Sequence, residues 1–251
     1  MKEEKTYYLY SEPKSYQETK AFIDWYRQSI HRSFDRHVVT LKHIPLRNYV
    51  LDYGCGWGTF SEMMHEEREC RVDGIDLAPH SIEIARDFIG EKEGLSFSTK
   101  HIQEIADNVY DIVVSTEVIE HTLNPGIYLG ECNRVLKPGG HLIISLPNIT
   151  TPRYAFSTLL ADPRRHFESI SQTMKTSYDK THHHIQAWDS ITFCRLACVL
   201  GFEYVDHEFM TGWALPKNRY WRRPWGRLKS LSNKMMFKLK KYQFVDVLPH
   251  E

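Results

Sequence analysis

Apolar residues recur along the chain with two periods, and the change from one to the other divides it. Over residues 14–44, Phe22, Trp25, Tyr26, Ile30 and Phe34 fall close to one helical face, and Pro45 stops the run. The pattern predicts a helical extension over residues 1–47. From residue 48 short apolar runs alternate with helical spacings. Residues 49–53 read as a strand, 58–69 as a helix with Phe60, Met63 and Met64 inward, and 71–76 as a second strand. Ile82, Ala85, Phe88 and Ile89 sit at i, i+3, i+6 and i+7, which predicts a helix over 81–89. Residues 95–99 alternate like a strand and 111–115 are apolar throughout. Residues 125–136 are helical up to a terminator, Lys137-Pro138-Gly139-Gly140, and 141–146 form a buried strand closed by Pro147. Strands alternating with helices imply an α/β domain over 48–251, its parallel sheet covered on both faces.

The alternation lapses over 148–188, a length that points to a substrate lid. It resumes with a helix over 191–200, capped by Gly201. Residues 203–209 and 242–247 read as closing strands. Between them Leu228, Leu231, Met235 and Leu239 recur at i, i+3, i+7 and i+11, which predicts an amphipathic helix over about 225–241.

Charge changes the picture at one place. The whole chain balances 32 basic against 32 acidic residues, yet between Glu208 and Asp246 there are ten bases and no acid. This basic insert, 213–241, also carries Trp213, Tyr220, Trp221 and Trp225. Three readings stand: a helix packed on the domain with its cations in water, docking on an anionic membrane surface, or steering of a polyanionic acceptor. Five scattered cysteines point to a reducing compartment, and no apolar run reaches the length of a membrane span. The expected location is the cytoplasm, with a peripheral place at a membrane's inner face if the basic segment docks there.

The candidate chemistry begins at Asp52, where Asp52-Tyr-Gly54-Cys-Gly56-Trp-Gly58 turns the first strand into a helix. Glycines let the backbone turn tightly and approach a ligand, with helix N–H groups facing it. About twenty residues on, Asp76 ends the second strand, where a carboxylate can accept both hydroxyls of a ribose. A dinucleotide fingerprint would need glycine at position 59, which is Thr59. The G-x-G-x-G spacing resembles the first motif of class I S-adenosylmethionine-dependent methyltransferases. The likeness continues through Gly74-Ile-Asp-Leu-Ala-Pro79, through 110–121 and through 134–145. The resemblance implies a Rossmann-like seven-stranded sheet of order 3-2-1-4-5-7-6, its last strand antiparallel, and S-adenosyl-L-methionine as methyl donor. It also implies that Asp52 and the backbone of Gly54, Gly56 and Gly58 hold the methionine part and Asp76 the ribose. Leu77 and Ile102 would flank the adenine, and Ser115 and Thr116 would line the pocket below the sulfonium. Where many relatives carry an acid for the adenine amino group, this chain has Lys100-His101.

Two stretches could serve the acceptor. A helical turn at Glu117-Val-Ile-Glu120-His121 would set Glu117, Glu120 and His121 on one side, an arrangement able to hold a divalent metal that acidifies a hydroxyl. The second is Thr181-His-His-His184, before the 191–200 helix, expected to return to the substrate side. The pair resembles the small-RNA 2′-O-methyltransferases, where E-x-x-E-H and a later histidine bind metal; His184 fits that later position. The ubiquinone-biosynthesis O-methyltransferases carry a similar E-x-x-E-H. The other reading leaves His121 and His184 as acid–base residues without metal, or His121 as a turn cap. The leading expectation is O-methylation of a small molecule, sugar or lipid-linked glycan. Against it stand a metal-assisted RNA 2′-O-methyltransferase, for which no RNA-binding module is recognisable, and a cofactor-binding protein without catalysis.

Overall fold

The computed structural model describes residues 35–165, 185–210 and 234–242, together with residues 24 and 168. A helix, α1 (Asp35–Lys42), precedes β1 (Tyr49–Tyr53), α2 (Thr59–Arg68) and β2 (Arg71–Ile75). Next comes α3 (Pro79–Ile84), which widens into a π-helical turn over Ala85–Ile89 and leads to β3 (Leu95–Ser98). The chain continues through β4 (Tyr110–Thr116), α4 (Pro125–Val135), β5 (Leu136–Pro147) and α5 (Pro152–Leu159). It closes with α6 (Ser190–Val199), β6 (Phe202–Met210) and β7 (Lys234–Lys241). The strands form one sheet ordered β3-β2-β1-β4-β5-β7-β6. β1 to β5 run parallel, and β7 lies antiparallel between β5 and β6. Order and direction are those the motifs imply.

Alternate residues of each strand face opposite layers, so every central strand feeds two cores. On one side Leu51, Val113, Leu142, Ile144, Phe237 and Leu239 pack against α4 and α6 through Leu129, Cys132, Phe193 and Ala197. On the other Val50, Val72, Val114, Ile143 and Met236 meet α2 and α3 through Phe60, Met64, Ile82 and Ala85. Val39, Leu41 and Ile44 join this second core, so α1 and the turn after it belong to the domain. His43 also reaches Glu208 of β6 at 2.9 Å.

Two readings near the C-terminal end are corrected. Residues 234–241, expected as the end of an amphipathic helix, are β7, so the strand lies within the segment read as the basic insert and ahead of the one expected at 242–247. Residues 243–251 and 211–233 lie outside the described residues. Met235, Phe237 and Leu239 are buried on one face and Met236 on the other, the period of a strand covered on both sides. Lys241 is buried as well, donating to the Leu136 carbonyl at 2.7 Å and to Asn108 Oδ1 at 2.9 Å.

Helix α4 stops at Val135, just ahead of the expected terminator, and Lys137-Pro138-Gly139-Gly140 itself lies within the next strand. It is a bulge inside β5: Leu136 pairs with Tyr110, the register slips, and His141 pairs with Ile112. Gly139 takes φ 77° there, and Lys137 closes the bulge on Asp111 at 2.7 Å. All five cysteines are free thiols. Among the described residues no helix is long and apolar enough to cross a membrane.

Candidate active site

The carboxyl ends of β1, β2, β4 and β5 gather the candidate residues, at the point where the strand order reverses between β1 and β4. The loop after β1 is held from below. Gly54 N–H and Cys55 N–H both donate to the Ile75 carbonyl, at 2.8 and 3.0 Å, and Gly58 N–H closes on Cys55 at 3.0 Å. Gly54 has φ 80°, and a Cβ there would lie 2.4 Å from a Val118 methyl. Gly56 has φ 53°, and a Cβ there would meet no protein atom. It borders the open side of the loop, where a ligand's backbone approach is possible.

Asp76 fastens the same loop from β2. One carboxylate oxygen accepts from Gly56 N–H at 2.9 Å and the other from Ala78 N–H at 2.9 Å. Burial raises its pKa, and these two N–H groups oppose the rise. Asp52, at the end of β1, is buried and accepts from the Ser61 hydroxyl at 2.5 Å. Burial pushes its carboxyl up to about 7 against the Ser61 bond, with Asp76 adding to the rise.

Beside the loop lies a cavity of about 290 Å³, lined by Asp52, Gly54, Gly56 and Thr116 among the expected residues. Gly58, Asp76, Leu77, Ile102 and Ser115 are not in its lining. Ile102 is buried in the first core, in a short turn after β3, and Leu77 is half-buried. Ser115 is turned to the other face, where its hydroxyl meets Tyr128 Oη at 2.7 Å. His101 caps the Ile102 turn, its N–H donating to Glu104 at 3.2 Å.

The lining also includes Arg36, His37, Cys55, Trp57, Thr59 and Phe60, which the sequence reading did not name as site residues. His37 stacks on Phe60 with ring centroids 4.5 Å apart and 14° between planes. Burial first, then Arg36 and Lys234, hold its pKa well below the usual value, so it is neutral. The helical pattern around α1 was visible, but nothing local marked two of its residues as a cavity wall.

The helical turn expected over 117–121 forms only in part. Ile119–His121 make a tight turn, while Glu117 takes the left-handed conformation at φ 59°. Glu117 therefore faces β5 and β7: Ser145 Oγ donates to one oxygen at 3.0 Å and Lys234 Nζ to the other. Glu120 is fully buried; burial and the charge of Glu117 raise its pKa, while Lys234 and Arg36 pull it down. His121 is half-buried, its N–H donating to the Val118 carbonyl at 2.9 Å. Among the described residues, no group of three or more His, Cys, Asp or Glu side chains is gathered as a metal site. His184 lies outside the described residues. The segment after it does return to this end of the sheet, since Ile185 and Gln186 N–H donate to the Glu120 carbonyl at 2.9 and 3.0 Å. Ile149 N–H then reaches Trp188 at 3.2 Å.

A strand-switch cavity floored by a glycine loop is shared by several protein families, and comparison with known proteins gives the family. The family model described as a methyltransferase domain matches residues 7–207. The chain belongs to the methyltransferase-domain family. Among curated relatives, it resembles the ubiquinone biosynthesis O-methyltransferase of Cereibacter sphaeroides, 34% identical over 145 residues. That match covers 56% of this methyltransferase-family chain and 57% of the relative, so it spans little more than half of either. Among solved structures, the fold matches the Haemonchus contortus phosphoethanolamine N-methyltransferase 2 in complex with S-adenosyl-L-methionine. The TM-score is 0.58 at 18% identity, over 83% of this chain and 52% of that one. An S-adenosylmethionine-dependent methyltransferase from Mesorhizobium loti also gives a TM-score of 0.58 at 18% identity, covering 80% of this chain and 95% of that one.

Proposed function

We propose that the protein is an S-adenosylmethionine-dependent methyltransferase that O-methylates a hydroxyl of a small molecule, sugar or lipid-linked glycan. The observation that carries this reading is the loop of Gly54, Gly56 and Gly58 beside the cavity, with Asp52 inside it and Asp76 bonded to Gly56. The likeness to ubiquinone O-methyltransferases over 145 residues favours oxygen as the acceptor atom.

When bound, S-adenosylmethionine supplies a sulfonium methyl for in-line attack. The chain's own part is alignment and exclusion of water. Asp52, ionised, would hold the donor's ammonium. Asp76, which accepts from Gly56 N–H, would hold the ribose hydroxyls. Phe60 and His37 wall the cavity from water, and a neutral imidazole adds no repulsion to the sulfonium. Thr116 lines the cavity at the end of β4, and Glu117 follows it. A hydroxyl acceptor must shed its proton as the new C–O bond forms; His121 and His184 are the proposed groups that receive it.

Calorimetry with S-adenosylhomocysteine tests the shared premise. The wild-type protein is expected to bind, and Asp76→Ala to bind at least tenfold more weakly, about 1.4 kcal/mol. A wild-type protein that takes up no heat would overturn the reading. Transfer of a labelled methyl to hydroxyl acceptors, and not to the matching amines, checks the oxygen preference.

A further inference from the structure

The first residue of β7 lies where the parallel strands end. Lys234 pairs with Pro147 of β5 and Met210 of β6. Because β7 runs antiparallel, its beginning reaches the same rim as the glycine loop and the 117–121 turn, and the basic segment thereby delivers a cation there. Lys234 Nζ donates to Glu117, both side chains being sheltered at 18% and 12% exposure.

We propose that Lys234 is the resident cation of this rim, a positioning residue that holds Glu117 in place and supplies the charge a divalent metal would otherwise bring. The proposal rests on the methyltransferase reading, which makes this rim the acceptor side.

Three observations support it. A non-glycine residue in the left-handed conformation is strained, so Glu117 at φ 59° needs partners to stay there. Glu117 N–H donates to the Ser145 carbonyl at 3.1 Å, Ser145 Oγ to one carboxylate oxygen at 3.0 Å, and Lys234 to the other. Each oxygen thus has a donor, and the charge of Lys234 repels a metal ion that approaches the carboxylate. Charge balance says the same. The rim holds the carboxyls of Glu117 and Glu120, and the field of Lys234 and Arg36 reaches Glu120 to offset them. Thr116, the residue before Glu117, lines the cavity, so the Lys234–Glu117 pair stands one residue from it in the chain.

Removing the cation should turn the rim into a metal site. In the full chain, Mn²⁺ binding followed by electron paramagnetic resonance is expected to be at least tenfold tighter in Lys234→Met than in wild type. The gain should vanish in Lys234→Met with Glu117→Gln, and Lys234→Arg should stay at the wild-type level. No gain in a folded Lys234→Met protein would overturn the proposal. So would Mn²⁺ binding by the wild type that Glu117→Gln abolishes. If Lys234→Met does not fold, that last comparison decides by itself: equal Mn²⁺ binding in wild type and Glu117→Gln supports the resident cation. Calorimetry with S-adenosylhomocysteine on the same samples keeps the two readings apart. Its failure in the wild type sinks the methyltransferase reading and leaves the Mn²⁺ comparison legible.

Discussion

At Asp52, burial and charge meet in a group that changes protonation near neutral pH. Its folded pKa of about 7 lies above the ordinary 3.8, so between those values the folded state keeps a proton that the unfolded chain has released. This group's contribution to stability is therefore complete below about pH 4, falls as pH rises toward 7, and is level beyond. Urea midpoints should show it: Asp52→Asn gains on wild type between pH 5 and pH 8, by a few kcal/mol at most. A donor ammonium beside Asp52 favours the carboxylate, so ligand binding near pH 6 should release a proton. Calorimetry in buffers of different ionisation enthalpy measures that release, and Asp52→Asn should abolish it. Gly54→Ala tests the loop by sterics, since φ 80° and the Val118 methyl at 2.4 Å oppose any Cβ; about 1–3 kcal/mol of stability should be lost. Asp52, Gly54, Gly56 and Thr116 were legible as residues of the candidate cavity because one contiguous loop and one strand end carry them. Arg36, His37 and Lys234 were not. They come from distant stretches whose local patterns announce only a helix and a charge run, and only the fold brings them to the rim.

Among the elements, β7 shows how a pattern can fit two periods. Met235 and Leu239 are four apart, which satisfies a helix and also a strand read every second residue. Phe237 decides between them: it would fall off a helical stripe defined by 235 and 239, yet it lies between them on one face of a strand. Its ring is buried against Phe193 at 4.8 Å. Phe237→Ala should cost about 3–5 kcal/mol, read as a fall in the denaturant midpoint. The start of α6 falls within a residue of the one read from the apolar pattern, and the cap that fixes it is Asp189, which accepts from Ile191 and Thr192 N–H at 2.8 and 2.9 Å. Asp189→Ala should cost about 1 kcal/mol by the same measurement. The Lys137–Gly140 stretch marked the end of α4 but not its own place in β5: glycines that follow a helix also permit a bulge, and only pairing with β4 selects the bulge.

For the whole molecule, strand order came through because the motifs over 50–147 resemble those of a family whose sheet has this order. The place of α1 did not, since its apolar face could have packed on anything. It packs on the second core and bonds to the rear of the sheet, with Lys238 of β7 donating to the His43 carbonyl at 3.3 Å. The insertion of β7 between β5 and β6 has a consequence during synthesis. A ribosome delivers the other six strands first, so the nascent chain carries two raw edges at β5 and β6 that only the last-made strand can seal. The same late strand brings Lys234 to Glu117. Translation thus finishes the sheet and arms its rim in one event, and a chain arrested before residue 234 would have the glycine loop without the cation that completes the acceptor side.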